Sequence, residues 1–345
     1  MTFTITVRPS GRTFSAQRDQ PILSAAMAQG VGLPYGCKDG ACGSCKSRLL
    51  EGRVVHGVHQ PKALSADEEA AGWVLTCCAA PQTDVTIEAR TVAAAGEFAV
   101  RKMPTRVASI ERPAADVAVL RMQLPAAEAL RYHAGQYVEF VLADGSRRSY
   151  SMANAPELQG DKPSIELHIR HMPGGKFTDH VFGVLKAKDI LRIEGPYGSF
   201  FLREDSHAPV VLLASGTGFA PIKAIIEHMR IKASTRPAVL YWGCRSRADL
   251  YLHDWAVEAA AQMPNLSYVP VLSEPKPEDA WTGRTGLVHQ AVMHDLPDLA
   301  GHQVYACGAP AMVDAAQRDL VQRCQLPAEQ FYADAFSSEA DKHGA

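Results

Sequence analysis

The chain has 345 residues, which is enough for two or three domains with hydrophobic cores of their own. Hydrophobic residues make up 47% of the sequence and charged residues 21%, values typical of a folded chain rather than a disordered one. The 35 Lys and Arg nearly balance the 37 Asp and Glu, and the formal charge of −2 argues against nucleic acid and anionic membranes as partners. The sequence shows no signal-peptide pattern and no apolar run of ~18 residues, so we expect a cytoplasmic protein with reduced cysteines.

Residues 1–91 have the pattern of a small α+β domain. Its predicted elements are, in chain order, a β-hairpin at 3–7 and 13–16, a helix at 22–29, a Gly- and Cys-rich loop, a helix from Ser65 and a strand at 85–88. The alanine-rich residues 92–100 are predicted to form a linker.

The rest of the chain divides into two patterns. Residues 101–206 carry short, evenly spaced β runs at 106–110, 117–124, 137–142 and 165–169, which predict an antiparallel β-barrel. Residues 207–345 change to buried strand, glycine-rich turn, helix and strand, at 210–213, 216–221, 222–232 and 239–241. This order predicts an α/β nucleotide-binding domain with a parallel sheet, and the whole chain is therefore predicted to be a multi-domain protein.

The cysteine loop carries the first chemical motif. Cys37, Cys42 and Cys45 have the spacing C-x4-C-x2-C, which is typical of a plant-type [2Fe-2S] site, and Cys77 and Cys78 compete to be the fourth ligand. Neighbouring side chains on an extended segment point to opposite faces, so only one of the two thiols can face the cluster. The alternatives are a zinc site or unrelated buried thiols, although zinc sites usually pair two close-spaced doublets. The 13 histidines show no convincing metal-ligand spacing.

A second motif, Arg148-Ser149-Tyr150-Ser151, stands at the end of a predicted barrel strand. It resembles the flavin signature of the ferredoxin-NADP reductase superfamily. That resemblance implies that Arg148 grips the flavin phosphate, Tyr150 lies on the isoalloxazine ring and Ser151 sits near the reacting N5 atom. A guanidinium matches a phosphate bidentately and an aromatic plane covers a flavin plane, so the chemistry agrees with these roles.

Downstream, a glycine pair precedes a helical stretch. The free backbone N–H groups and hydroxyl of this segment are expected to meet the pyrophosphate of FAD, which favours FAD over FMN. The residues concerned are Gly174, Gly175, Lys176 and Thr178.

The α/β pattern contains a glycine loop between an apolar strand and a helix, where a diphosphate can approach the backbone. Its residues include Gly216, Thr217, Gly218 and Pro221. Pro221 stands where a Rossmann fingerprint has its third glycine, so the motif departs from that pattern. It resembles instead the Gly-Thr-Gly-x-Ala-Pro form of the reductase superfamily.

The same resemblance assigns the remaining site residues. Cys307 and Gly308 match the superfamily's Cys-Gly-x-Pro nicotinamide segment, although a cysteine at a strand end is also commonly buried for packing. Phe336 matches the terminal aromatic residue that covers the flavin until nicotinamide displaces it. Glu274 follows a predicted strand where relatives that use NADP have arginine, which favours NADH over NADPH. Arg245, Arg247 and Arg284 are cations that can approach the same ribose.

The resemblance covers nearly the whole chain and places the fourth cluster ligand at Cys77, because the family pattern is Leu-x-Cys followed four residues later by Pro. It implies a three-domain reductase made of a plant-type ferredoxin domain with a β-grasp fold at 1–91, an FAD-binding barrel at 101–206 and an NAD-binding domain at 207–345. In such a reductase, electrons pass from NADH to FAD, to a [2Fe-2S] cluster and then to an electron-acceptor protein. The segment around Cys77 and the closing segment at 331–336 look most like those of the CDP-6-deoxy-3,4-glucoseen reductases, which feed a dehydrase. The alternative is the reductase component of an aromatic or alkane oxygenase. A redox sensor is the alternative of another class, although the sequence shows no DNA-binding or signalling element.

Overall fold

The computed structural model describes residues 1–92, 96–126, 130–160 and 162–336. The chain forms two compact units, one made of residues 1–99 with 198–200 and the other of residues 100–197 with 201–336. The predicted linker at 92–100 falls partly outside the described residues. Among the described residues, no helix has the length and apolar character needed to cross a bilayer.

The first unit has the mixed sheet expected of a β-grasp ferredoxin fold. Its elements are β1 (Thr2–Arg8), β2 (Arg12–Gln17), α1 (Ile22–Ala28), β3 (Lys46–Glu51), β4 (Val54–His56), α2 (Ala66–Ala70), β5 (Trp73–Leu75), β6 (Ala79–Pro81) and β7 (Val85–Glu88). The five-stranded sheet has the order β2-β1-β7-β3-β5, with β1 parallel to β7, while β4 and β6 form a separate antiparallel pair. The cysteine loop lies between α1 and β3, and it contains no strand or helix.

The second unit begins with an antiparallel barrel. Its elements are β8 (Arg101–Ala114), β9 (Val117–Gln123), β10 (Tyr137–Val141), β11 (Arg147–Ser151), β12 (Ser164–Arg170), α3 (Lys176–Gly183) and β13 (Ile190–Tyr197). The strands pair in the order β11-β10-β13-β8-β9-β12, and a bridge between Met152 and Leu167 joins the two edges. Aliphatic and aromatic side chains, among them Phe140 and Phe177, fill the barrel interior.

A parallel sheet completes the second unit. Its elements are β14 (Val210–Ser215), α4 (Phe219–Ile231), β15 (Ala238–Cys244), α5 (His253–Gln262), β16 (Leu266–Leu272), β17 (Arg284–Thr285), α6 (Val288–Asp295), β18 (Gln303–Gly308), α7 (Pro310–Arg323) and β19 (Phe331–Ala335). The strand order is β17-β16-β15-β14-β18-β19, and all neighbours are parallel. From β14 the chain adds strands toward one edge as far as β17 and then crosses to the other side with β18 and β19, so the order of strands reverses between β14 and β18. In open parallel sheets, ligands bind outside the carboxyl ends of the strands at such a reversal, which here is formed by Ser215–Gly216 and Cys307–Gly308.

The fold class predicted from the sequence is confirmed: a ferredoxin-type α+β domain, an antiparallel flavin-type barrel and a parallel nucleotide-binding sheet. Several elements differ from expectation. β13 was not anticipated although it lies between β10 and β8, and the helix expected from Ser65 has only five residues. The short strands β3 to β6 of the first unit and the bounds of the strand β11 were also not anticipated, and the residues before Phe336 form the parallel edge strand β19. The boundaries at 91 and 206 remain predictions.

Candidate functional site: two cofactor sites and a nucleotide loop

The four predicted cluster ligands lie in two neighbouring pairs. The Sγ atoms of Cys45 and Cys77 are 3.2 Å apart, and the thiols of Cys37 and Cys42 are hydrogen-bonded to each other. The hydrogen bond from Cys37 lowers the pKa of Cys42 to about 6 and raises the pKa of Cys37. Four thiols in two pairs are the donor set of a [2Fe-2S] cluster, in which two cysteines bind each iron. The residues present therefore fit the group.

The backbone of the loop also suits a cluster. The N–H of Cys37 points to the Cys42 sulfur at 3.4 Å, and the N–H of Ala41 points to the Cys37 sulfur at the same distance. Gly40 and Gly43 have φ of +77° and +76°, so the chain adopts left-handed turns that other residues rarely adopt. Donors aimed at sulfur stabilise the negative charge that thiolates and sulfides carry.

Cys77 and Cys78 occupy different surroundings, as their adjacency predicts. Cys77 is buried and approaches Cys45, whereas Cys78 is half-buried and its sulfur lies 3.5 Å from that of Cys77. On the other side, Cys78 packs on Gly40, where an added Cβ would meet its sulfur at 2.7 Å. The geometry is therefore consistent with Cys77 as the ligand and Cys78 as its neighbour in packing.

The flavin motif lies on β11 and the residue that ends it. The Tyr150 ring packs against Phe140 and Phe177, with ring centroids 5.9 and 5.3 Å away, and burial raises the pKa of Tyr150. Ser151 is buried, while Arg148 is half-buried and donates a hydrogen bond to the carbonyl of Arg147. Alternation along the strand therefore places Arg148 and Tyr150 on one face and Ser151 on the other.

The predicted pyrophosphate segment is a tight turn that leads into α3. Gly174 has a φ of +81°, and the side chain of Thr178 bonds back to the turn at the Met172 carbonyl, 2.8 Å away. The Gly175 N-cap offers no side-chain acceptor, so backbone N–H groups of the first turn remain for an anion. Lys176 forms an exposed ion pair with Asp144 at 2.6 Å. An uncapped helix start beside a flavin-type barrel fits the pyrophosphate of FAD.

The glycine loop at the carboxyl end of β14 is held from several sides. Trp242, which is fully buried, donates its indole N–H to the Gly216 carbonyl at 3.0 Å and stacks on Phe219. A Cβ on Gly218 would fall 2.2 Å from the Cys307 carbonyl oxygen, so only glycine fits there. Thr217 is buried beside it, and Pro221 is the third residue of α4, where a missing N–H breaks no helical hydrogen bond.

Three elements bring a Ser, a Cys and an Asp together. The Ser151 hydroxyl donates to the Asp334 carboxylate at 3.3 Å, and the Cys307 sulfur lies 4.0 Å from the same oxygen. Cys307 is fully buried, and burial raises its pKa well above the ordinary value, so it remains a thiol. Gly308 follows with a φ of +132°, and a Cβ there would meet the Ser215 hydroxyl at 2.3 Å. The flavin motif and the nucleotide sheet therefore share one site.

The last two predicted residues lie on the same sheet. The Phe336 N–H donates to the Gly308 carbonyl at 2.8 Å, which places Phe336 at the mouth of the Ser151 and Cys307 site. Glu274 is exposed directly after β16, and its N–H bonds to the Arg245 carbonyl.

Two residues of this site were not predicted from the sequence. Asp334 lies on the edge strand β19, and its position opposite Cys307 follows from the β18–β19 register. Arg170, at the end of β12, has its guanidinium carbon 3.4 Å from where a Gly216 Cβ would lie, and two of its nitrogens are buried without a hydrogen-bond partner among the described residues. No local sequence pattern reveals either contact, because each joins segments far apart in the chain.

A buried network of charges joins the barrel to α4. Lys223 Nζ lies 2.6 Å from Glu227, 3.1 Å from Glu166 and 3.1 Å from the Ala153 carbonyl. His168 Nε2 lies 3.0 Å from the same oxygen of Glu166. Burial would raise the pKa of Glu166, but the His168 hydrogen bond and the Lys223 charge outweigh it and lower the pKa to about 2. The network thus stabilises a carboxylate between the two halves of the unit.

Cysteine pairs, a flavin-type barrel and a glycine loop at a sheet reversal define the class of protein as an iron-sulfur flavoprotein reductase that uses a nicotinamide coenzyme. Three family models match in the same order. They are a 2Fe-2S iron-sulfur cluster binding domain at residues 5–82, an oxidoreductase FAD-binding domain at 104–202 and an oxidoreductase NAD-binding domain at 212–318.

The chain is also similar to curated proteins and solved structures over nearly its full length. It is 40% identical over 336 residues to the CDP-6-deoxy-L-threo-D-glycero-4-hexulose-3-dehydrase reductase of Yersinia pseudotuberculosis, covering 97% of this chain and 99% of the relative. It is 36% identical over 347 residues to the phenol hydroxylase P5 protein of Acinetobacter pittii, covering 99% and 96%. The crystal structure of the Amycolatopsis cytochrome P450 reductase GcoB superposes with a TM-score of 0.77 at 35% identity, covering 97% of this chain and 99% of that one.

The chain belongs to this family of three-domain iron-sulfur flavoprotein reductases, which includes hexulose dehydrase reductases and oxygenase reductase components. It is an oxidoreductase with 2Fe-2S, FAD and NAD domains, and reductases of this kind transfer electrons to a partner protein.

Proposed function

We propose that this reductase passes electrons from NADH to a CDP-6-deoxyhexulose 3-dehydrase. The observation that carries the proposal is the 40% identity, over 97% of the chain, to a reductase named for that dehydrase. The protein RfbI of Salmonella typhimurium is also similar at 37% over 341 residues. Because none of the eight cysteines forms a disulfide and the donor is NADH, we place this activity in the cytoplasm.

Bound FAD takes up an electron pair as hydride and releases single electrons, and a [2Fe-2S] centre accepts one electron at a time. The protein supplies binding and orientation. Arg148 holds the flavin phosphate and Tyr150 covers the ring. The turn at Gly174 and Gly175, whose own N–H groups donate to Asp179 and to the Met172 carbonyl, leads into the first turn of α3. There the backbone N–H groups from Lys176 to Thr178 receive the pyrophosphate. Cys37, Cys42, Cys45 and Cys77 hold the cluster.

The coenzyme's reacting ring enters at Ser151, Cys307 and Asp334. Asp334 fixes the direction of the Ser151 hydroxyl, and the neutral Cys307 thiol packs without adding charge. Phe336 closes this position until the nicotinamide enters. Burial excludes water from the reacting atoms, which protects the hydride from solvent.

The diphosphate of NADH lies on the loop from Gly216 to Gly218, which brings backbone N–H groups to the start of α4. The Arg170 guanidinium faces this loop with its Cζ, Nη1 and Nη2 atoms, and it provides the positive charge that a diphosphate needs. Nη2 is buried without a hydrogen-bond partner among the described residues, while Nε lies 3.5 Å from Asp116. Arg170 belongs to the barrel, so a coenzyme bound to it contacts both halves of the unit.

NADH is preferred because Glu274 is an exposed carboxylate where a 2′-phosphate would lie. The cations that can approach each have an acidic neighbour: Arg245 with Asp249 at 3.9 Å, Arg247 with Asp254 at 3.9 Å, and Arg284 with Asp295.

Glu274→Arg tests the coenzyme preference. We expect the ratio of kcat/KM for NADPH to that for NADH to rise about tenfold or more, since one charge reversal next to a phosphate is worth at least 1.4 kcal/mol. Glu278→Arg, on an exposed residue of the following turn, is the matched control for added positive charge. An unchanged ratio in Glu274→Arg places the ribose elsewhere.

The partner is tested by reconstitution. The reductase is mixed with the Yersinia dehydrase and its CDP-6-deoxyhexulose substrate, and in parallel with the phenol hydroxylase components of Acinetobacter pittii and phenol. We expect NADH oxidation that depends on both dehydrase and sugar nucleotide, with at least about tenfold higher kcat/KM for the dehydrase than for the hydroxylase. The reverse order of the two partners contradicts the proposal.

The second candidate is the reductase component of an oxygenase. It is favoured by full-length similarity to the phenol hydroxylase P5 protein and to a terephthalate 1,2-dioxygenase reductase of Comamonas, 36% and 34% identical. The same reconstitution decides between the two, because both use the same cofactors and differ only in the protein that receives the electrons.

A further inference from the structure

A second group of metal-ligating side chains lies in the first unit, apart from the cysteines. It consists of His56 at the end of β4, His59 in the following segment and Glu69 on α2. One ligand atom from each residue lies within 4.8 Å of the other two. We infer that His56, His59 and Glu69 bind one divalent transition-metal ion of the Zn²⁺ type.

The ring nitrogens of His56 are buried, and they make no hydrogen bond among the described residues. The side chain is only 10% exposed. The nitrogen Nδ1 lies 3.0 Å from a Glu69 oxygen, but the angle does not make a hydrogen bond. A buried imidazole without a partner is costly, and a metal ion placed between the two atoms removes that cost.

His59 is already oriented as a ligand. Its Nδ1 bonds to the Gly57 carbonyl at 2.9 Å, and since a carbonyl only accepts, Nδ1 carries the proton. The lone pair is therefore on Nε2. Metal-binding histidines usually donate their other ring nitrogen to a carbonyl or carboxylate in this way, which fixes the ring and the tautomer.

Glu69 is available because the adjacent carboxylate has other partners. Glu68 forms an ion pair with Lys46 at 2.6 Å and closes the capping box with Ser65. Glu69 lies on a different face of the same short helix, beside His56. The two glutamates thus have separate tasks, one fixing α2 and one facing the histidines.

The chemistry of the group selects the class of ion. Two imidazoles and one carboxylate suit Zn²⁺ and its transition-metal neighbours rather than Ca²⁺ or Mg²⁺, which prefer oxygen ligands. Bonds of about 2.0–2.1 Å in a tetrahedron put ligand atoms ~3.3 Å apart. The ligand atoms, which lie within 4.8 Å of one another, therefore need to close by at most about 1.5 Å, and water takes the fourth position.

The site would clamp the segment that packs against the cysteine loop. The N–H of Gln60 donates to the Gly40 carbonyl at 3.0 Å, and the N–H of Gly57 donates to the Cys78 carbonyl at 2.9 Å. His59 itself abuts Gly40, where an added Cβ would meet the His59 Cβ at 2.8 Å. An ion shared by β4, this segment and α2 fixes them together behind the loop.

Zinc uptake tests the inference on the holoprotein without a polyhistidine tag. Equilibrium dialysis against Zn²⁺, after chelator treatment that leaves the iron content unchanged, is expected to give one Zn²⁺ per chain. Glu69→Gln keeps the size of an exposed side chain, so it should fold normally and weaken binding roughly 10- to 100-fold. His59→Gln should weaken it at least as much.

Two controls match these variants. Asp67→Asn makes the same charge change on the same helix, and His294→Gln removes an exposed histidine beside Asp295. Both should bind zinc like the unmodified protein. X-ray absorption at the zinc edge should show only nitrogen and oxygen ligands at about 2.0–2.1 Å. The inference is wrong if no zinc binds, if Glu69→Gln and His59→Gln bind it as tightly as the controls, or if sulfur appears at about 2.3 Å.

Discussion

Lys223 is the cation on which the buried charge network depends, and Lys223→Met tests its role. Methionine keeps the length and apolar stem of the side chain but removes the charge. Glu166 would retain His168 at 3.0 Å and Arg121 at 3.0 Å. Among the residues that the structure describes, Glu227 would retain only the Ala155 N–H, at 2.9 Å. We therefore expect Glu227 to be the stranded carboxylate.

The size of the effect follows from this geometry. Removing one partner of a buried ion pair typically costs 3–5 kcal/mol. A cavity of about 240 Å³ borders Lys223, Glu166 and Glu227. Water in that cavity can partly solvate the carboxylate of Glu227. We therefore expect the free energy of unfolding to fall by an amount near the lower limit, about 3 kcal/mol. For a unit of more than 200 residues, this is a fall in melting temperature of roughly 6–12 °C.

Thermal unfolding followed by flavin fluorescence measures the loss. Lys223→Met/Glu227→Gln removes the stranded charge as well, so it should recover most of the stability. Lys232→Met, at the exposed end of the same helix, breaks a pair with Glu157 at 3.5 Å and should cost less than about 1 kcal/mol. A Lys223→Met protein that melts within about 2 °C of the unmodified one, or a double variant no more stable than the single, refutes the reasoning.

Three further results are expected. Cys77→Ser should lose iron and the visible absorption of the cluster while Cys78→Ser keeps both, and equal loss in the two variants contradicts the assignment of Cys77. Gly218→Ala puts a Cβ 2.2 Å from a carbonyl oxygen and should raise KM for NADH or abolish flavin reduction, whereas Gly301→Ala, with nothing within 4 Å, should do neither. Burial lowers the pKa of His168 below its ordinary 6.5, so below that pH the unfolded chain gains a proton that the folded chain does not, and stability falls. His168→Gln should therefore lose less stability between pH 7.5 and 5.5 than the unmodified protein in urea unfolding, and an identical loss shows that another group is responsible.

Motifs confined to a short segment were predictable from the sequence. The cysteine spacing requires only a loop of small residues, and the glycine loop requires only the strand before it and the helix after it. Both are local because backbone geometry alone arranges their donors. The hairpin at the N-terminus was predictable for the same reason, since alternation and a turn are local signals.

Contacts between distant segments were not predictable. Asp334 meets Ser151 only because β19 lies parallel to β18, and Arg170 meets Gly216 only because the barrel packs on the nucleotide sheet. The strand β13 was missed because its Gly195 and Pro196 indicate a turn, although they lie within a strand. Charged residues such as Lys223 are normally exposed, so their burial follows from packing alone.

The anaerobic titration of the purified protein with NADH tests the central claim most directly. Flavin absorbance and the electron paramagnetic resonance signal of the cluster are followed together, with iron content as the reference. We expect NADH to bleach the flavin and a one-electron cluster signal then to appear, with two irons per chain. Bleached flavin without a cluster signal, even after dithionite, would contradict it.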